Sequence, residues 1–191
     1  LSDKQLWLLA GGNGAGKSSF YRTQLKPLGI PFINADLIAQ ELFPDAPEAH
    51  SYEAASLAED LRYRLLTEGR TFCFETVFSH PSKIDFMANA KALSYEVILV
   101  FIHLSTPELN KARISQRIKE GGHFVPDEKV ENRIPRTLSH IRTAIALADE
   151  CYLLDNSSAH SPFEQVANLR HGTLSIQQPH LPEWARYLLE N

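Results

Sequence analysis

The chain has 191 residues, 43% hydrophobic and 22% charged, with 19 basic residues against 23 acidic ones and a formal charge of −4. That length and composition suit one folded domain, or one domain with a lid, and exclude a chain that is disordered by composition. The charge excludes a broadly basic nucleic-acid coat, and no apolar stretch reaches the ~20 residues that a membrane span needs. The two cysteines, Cys73 and Cys151, lie in apolar runs and make no disulfide framework, which points to a reducing cytoplasm. No basic-then-apolar leader opens the sequence given, in keeping with a cytoplasmic expectation.

In chain order, residues 6–10 (Leu-Trp-Leu-Leu-Ala) predict a buried strand, and residues 31–35 (Pro-Phe-Ile-Asn-Ala) a second. Ala54, Ala58, Leu61 and Leu65 recur at helical spacing, and Gly69 stops that helix. Residues 71–77 give a third strand. Pro81 stands where a first helical residue belongs, so a helix is expected from Ser82 to about Leu93. Residues 96–104 form a fourth, nearly uninterrupted apolar strand. Thr106-Pro107-Glu108 combine a capping hydroxyl, a proline and a carboxylate at a helix start, and that helix runs to Gly121-Gly122. The next begins near Pro126-Asp127 and carries the stripe Val130, Ile134, Leu138, Ile141, Ile145 and Ala148, with a kink or break expected at Pro135. Residues 151–155 give a fifth strand, 171–176 an edge strand and 182–189 a short helix. Continuous apolar strands alternating with helices imply an α/β fold with a parallel sheet and right-handed crossovers.

Gly11-Gly12-Asn13-Gly14-Ala15-Gly16-Lys17-Ser18 matches the G-x-x-x-x-G-K-[ST] phosphate loop without a mismatch, directly after a strand and before a helix, with Ser19 next in line. Such a loop curls backbone N–H groups around phosphate oxygens, and the following helix aims its positive end at them. Lys17 is expected to reach the β- and γ-phosphates of ATP and Ser18 to hold Mg²⁺. No Asn-Lys-x-Asp motif of a GTPase is present. No apolar strand ends in Asp-Glu as in motor and AAA-type ATPases, which leaves a small kinase. A kinase needs a carboxylate near the γ-phosphate and arginines to neutralise transferred charge. Asp36, after the second strand, is either that base or a cap for the following helix, or both. Glu75, at the end of the third strand, is either a site carboxylate or half of a buried ion pair. Ser79 and His80 follow it in a polar turn, and Lys83 reads as a solvated helix residue. Arg113 and Arg117, four apart, and Arg133 and Arg136, three apart, flank the Gly121-Gly122-His123 segment. They suggest a lid over about 107–140, or ordinary solvated helix charge. Asp155-Asn156-Ser157-Ser158 are either a polar turn or part of a base pocket.

Taken in order, the phosphate loop, Phe32-Ile33-Asn34-Ala35-Asp36, Phe74-Glu75-Thr76-Val77-Phe78-Ser79, Gly121-Gly122-His123-Phe124-Val125-Pro126 and Asp155-Asn156-Ser157-Ser158 resemble the zeta-toxin family of P-loop kinases, in its short bacterial branch. The resemblance implies a five-stranded parallel sheet in order 2-3-1-4-5, with helices on both faces. It implies transfer of phosphate from ATP to a hydroxyl of a nucleotide sugar such as UDP-N-acetylglucosamine, and a protein antitoxin as partner. Asp36 matches the family's catalytic base, and Lys17 and Ser18 its phosphate and magnesium residues. Glu75 and Thr76 match the substrate-binding Glu-Gly-Thr element without its glycine. His123, a candidate substrate-binding residue in a Gly-Gly-His lid that differs from that of the larger toxins, either contacts a phosphate or caps its loop. Arg117 with Arg133 or Arg136 matches the phosphoryl clamp. Two alternatives remain on the same scaffold: a kinase of another metabolite or nucleoside, and a slow ATP-binding module held by an antitoxin. No nucleic acid and no membrane are expected as partners.

Overall fold

The computed structural model describes residues 4–119 and 127–190. Its centre is a seven-stranded sheet in the order β2-β3-β1-β4-β5-β6-β7. Strands β1 (Gln5–Ala10), β2 (Phe32–Ile33), β3 (Phe72–Thr76), β4 (Glu96–His103) and β5 (Glu150–Asp155) run parallel, in the order expected for five strands. The expectation of a five-stranded sheet is corrected by two antiparallel additions, β6 (Glu164–Arg170) and β7 (Thr173–Ile176). The tail turns back on β5 through a hairpin, and β7 is the edge strand foreseen at 171–176.

Alternation along each strand divides the core between two faces. Leu6, Leu8, Phe72, Phe74, Val97, Leu99 and Phe101 point to one face. Residues of α3 (Ser51–Thr67), α4 (Ser82–Ala92), α6 (Asp127–Ile145) and α7 (Glu183–Leu189) cover it. Leu9, Cys73, Ile98, Val100 and Ile102 point to the other, where Leu25 and Leu109 pack. From Ile98 to Ile102, β4 is no more than 2% exposed. Each such side chain contributes roughly 1.5–3 kcal/mol of burial, enough to make β4 the spine of the fold. No helix among the described residues is long and apolar enough to cross a membrane.

The helix after the phosphate loop is irregular for a local reason. α1 (Lys17–Phe20) continues as a π turn over Tyr21–Leu25 and a 3-10 turn over Lys26–Leu28. Pro27 has no N–H for the Thr23 carbonyl, and the Lys26 N–H bonds Tyr21 O instead. The second strand shrinks to two residues, because Asn34 leaves it to cap α2 (Ala35–Leu42), its Oδ1 accepting from Leu37 N at 3.1 Å. Thr106 caps α5 (Pro107–Lys119) as expected, its Oγ1 accepting from Leu109 N. α6 runs through Pro135 without a break. Pro81 occupies the cap position of α4 rather than its first helical residue.

Candidate active site

The phosphate loop leaves β1 between β3 and β4. Gly11 N donates to Thr76 O, and a Cβ on Gly11 would lie 2.3 Å from the Ile102 carbonyl oxygen. Backbone cannot give way as a side-chain tip can, so only glycine fits there. The buried Lys17 donates through Nζ to the Gly11 and Gly12 carbonyls at 2.9 and 3.1 Å. Asn110, 3% exposed on α5, donates through Nδ2 to Asn13 O at 2.7 Å and supports the loop from below.

A cleft of about 670 Å³ opens above the loop, at the carboxyl ends of the parallel strands. Gly14, Gly16, Lys17, Ser18 and Ser19 form its floor; Asn34, Asp36, Leu37 and Gln40 line one wall. Glu75 enters from β3, and Ser18 Oγ donates to its Oε2 at 2.8 Å. That bond spends the hydroxyl proton on Glu75 and leaves the Ser18 lone pairs for a cation. With the neighbouring carboxylate, this all-oxygen donor set suits a hard divalent ion. Arg22 of the π turn and Arg113 and Gln116 of α5 line the same cleft. At the far end stand Asn156, Ser158, Pro162 and Phe163, from the connection between β5 and β6.

The structure thus brings Asp36 and Glu75 into one cleft with Lys17 and Ser18. The helix cap that Asp36 could have supplied comes from Asn34. Thr76 Oγ1 accepts from Phe78 N at 2.9 Å, closing the end of β3. Arg133 reaches the loop, its Nη1 3.4 Å from Asn13 Oδ1, whereas Arg136 is exposed. The Arg117 side chain and His123 lie outside the described residues. Lys83 is not simply solvated: burial, then the nearby Arg62, pulls its amine below the usual value. Both cysteines are free and buried. Burial pushes the Cys151 thiol up to about 12 and that of Cys73 well above its ordinary value, so neither offers a thiolate.

Asn110, Arg22 and Phe163 escaped the sequence argument. Asn110 left a signal, a polar residue four positions before the buried Ile114 on the inward side of α5. Arg22 and Phe163 left none, since one depends on the π turn and the other on the unforeseen hairpin.

A parallel sheet of this order with a phosphate loop after its central strand and carboxylates at the neighbouring strand ends defines a P-loop protein of the kinase-like class. The chain belongs to the AAA_33 family, described as an AAA domain, whose model matches residues 6–137. It does so although no parallel strand of the sheet ends in Asp-Glu, the feature used above to set AAA-type ATPases aside. An uncharacterized protein of Haemophilus influenzae is 31% identical over 137 residues, covering 68% of this chain and 97% of its own. The crystal structure of AvrRxo1-ORF1:-ORF2 with ATP superimposes with a TM-score of 0.73 at 19% identity, over 91% of this chain and 60% of that one. The chain therefore spans 60% of the AvrRxo1 chain, less than two thirds of it. The PezAT chromosomal toxin-antitoxin system of Streptococcus pneumoniae gives a TM-score of 0.61 at 20% identity, over 81% of this chain and 68% of that one. The zeta-toxin-like P-loop fold expected from the ordered motifs is the fold observed.

Proposed function

We propose that the chain is an ATP-dependent phosphotransferase with a hydroxyl acceptor, in which the segment over about 107–140 acts as a lid on a single kinase domain. The observation that carries this is one cleft holding Lys17, the Ser18–Glu75 pair at 2.8 Å and the Asp36 carboxylate together. In the proposed reaction the triphosphate lies along the loop, with its base toward Phe163 and its γ-phosphate toward Asp36. Asp36 accepts the proton of the acceptor hydroxyl as its oxygen attacks the γ-phosphorus. The bond from that phosphorus to the β–γ bridging oxygen breaks, and ADP leaves. Lys17 moves from the loop carbonyls to the phosphate oxygens, and Arg113 and Arg133, with Arg117 or Arg136 from the lid, offset the spreading charge. Ser18 and Glu75 are the residues that would hold a magnesium ion, which would supply positive charge to offset that of the phosphates.

A nucleotide sugar such as UDP-N-acetylglucosamine is the proposed acceptor, with Glu75, Thr76 and His123 on its side. A protein antitoxin in the cytoplasm is the proposed partner; toxin-antitoxin relatives of the same fold support that reading. The test is ADP release from Mg²⁺-ATP, with and without each of a panel of nucleotide sugars, nucleosides and small hydroxyl metabolites. Release that rises with a hydroxyl acceptor is expected. Tight ATP binding with no acceptor-dependent release would replace the transferase by a nucleotide-gated binding module.

A further inference from the structure

Asn156 follows β5 directly and is 7% exposed. Its backbone N–H continues the sheet by donating to His103 O at 3.0 Å, so the side chain is held on a rigid base. Both ends of that side chain are used. Nδ2 donates to Ala15 O at 2.9 Å, inside the phosphate loop. Oδ1 accepts from Phe163 N at 3.2 Å, across the loop that joins β5 to β6. Phe163 sits at φ 56°, a left-handed conformation that a bulky residue adopts only when its surroundings hold it there. Its ring meets Phe20 of α1 edge-on, with centroids 5.4 Å apart. The fit against the phosphate loop is close. A Cβ on Gly16, which stands at φ 101°, would lie 2.6 Å from Asn156 Nδ2 and 3.3 Å from the Phe163 ring.

A trans peptide is planar, and its C=O and N–H point in opposite directions. Holding Ala15 O therefore fixes the direction of the Gly16 N–H, one of the donors that a phosphate loop offers. The same side chain fixes the backbone of Phe163 at the other end of the cleft.

Resting on the nucleotide assignment of the cleft, we propose that Asn156 is a positioning residue that couples the two halves of the nucleotide site. Its donor sets the phosphate loop and its acceptor sets the Phe163 platform for the base, so occupancy of one half orders the other.

The probes are ATP and inorganic tripolyphosphate, titrated calorimetrically into the full chain. Asn156→Leu keeps the branched heavy-atom skeleton, adds no charge and removes both hydrogen bonds. It is expected to weaken tripolyphosphate by roughly 10-fold and ATP by more. Phe163→Ala is expected to weaken ATP by about 10-fold, through lost stacking, and to leave tripolyphosphate within about twofold. The double variant should lose less ATP affinity than the product of the two single losses, because both changes break one coupled unit. A purely structural Asn156 would lower the melting temperature and leave the ratio of the two affinities unchanged. Wild-type tripolyphosphate affinity in Asn156→Leu, or independent losses in the double variant, would overturn the coupling while leaving the nucleotide site in place. A wild-type chain that binds neither probe would overturn both. Should Asn156→Leu fail to fold, Asn156→Ser is measured the same way.

Discussion

At the amino end of the sheet, Glu96 and Glu150 begin β4 and β5, both 8% exposed. With the exposed His171 they place potential ligand atoms within 4.8 Å of one another. At the carboxyl end, Asp36 and Glu75 stand in the open cleft. The first group is closed by its own neighbours. Gln5 Nε2 donates to Glu96 at 2.8 Å, Tyr152 OH to Glu150 at 2.6 Å, and the Arg170 guanidinium to the other Glu150 oxygen at 2.9 and 3.1 Å. Burial works to raise the Glu150 carboxyl, but Tyr152 and Arg170 outweigh it and leave it below its ordinary value. Burial, then Glu150, pushes the Tyr152 phenol up to about 12. At the other end, among the described residues, the side-chain hydrogen bond to Glu75 comes from the Ser18 hydroxyl, which retains lone pairs to offer. A carboxylate on a strand end is thus a structural part or a chemical one according to whether amide, phenol and guanidinium donors of the same chain have already taken its oxygens.

The comparison breaks first at Lys17. Lys17→Ala should lower acceptor-dependent transfer by ~10²–10³-fold, the loss typical of one preorganised charge-stabilising donor. Initial rates at saturating acceptor measure it. Glu75→Gln is a smaller step, because the amide still meets Ser18 but carries no charge for a cation. A fall of about 10–100-fold is expected, together with a raised magnesium requirement. At the opposite end, Glu150→Gln should leave transfer unchanged and lower stability by roughly 1–2 kcal/mol. That figure is modest because Arg170 is solvent-exposed and screened. Chemical denaturation reads the loss, and a fall in transfer there would erase the distinction between the two ends.

The mildest test is one of pH. His103 ends β4 and stacks on Trp184 with ring centroids 4.5 Å apart. Burial lowers its imidazole from 6.5 to about 4, against the opposing pull of Asp155. The unfolded chain therefore binds a proton there before the folded one does. Stability is full above about 6.5 and falls as the pH drops toward about 4, by on the order of 2–3 kcal/mol from this group. His103→Phe retains a ring against Trp184 and cannot charge, so its melting temperature should fall less than that of wild type between those limits.

The phosphate loop and all five parallel strands were legible because each is a contiguous signal: a fixed motif, or an apolar run bounded by turns. Asp36 and Glu75 were legible because strand order turns a strand end into a place beside the loop. β6 was not, since Glu164–Arg170 buries only the modest Val166 and Ala167 between polar residues and reads as a loop. Its absence from the sequence reading hid Phe163, whose position depends on the hairpin that returns to β5, although Asn156 and Ser158 at the same end of the cleft were singled out. The candidate cap of α2 was placed two residues too late: Asn34 and Asp36 are both good caps, and only the backbone shows which stands outside the helix. The arginines on α5 and α6 were read as a group, but which of them faces the cleft depends on helix rotation. Arg113 faces it, and Arg136 is exposed.

The measurement closest to the central claim is the mass of the acceptor after incubation with Mg²⁺-ATP, for wild type and for Asp36→Asn. The account predicts an acceptor heavier by one phosphoryl group with wild type. With Asp36→Asn it predicts no such product while ATP still binds. Full transfer by Asp36→Asn would contradict the assignment of the base, and an unmodified acceptor across the whole panel with wild type would contradict the transferase itself.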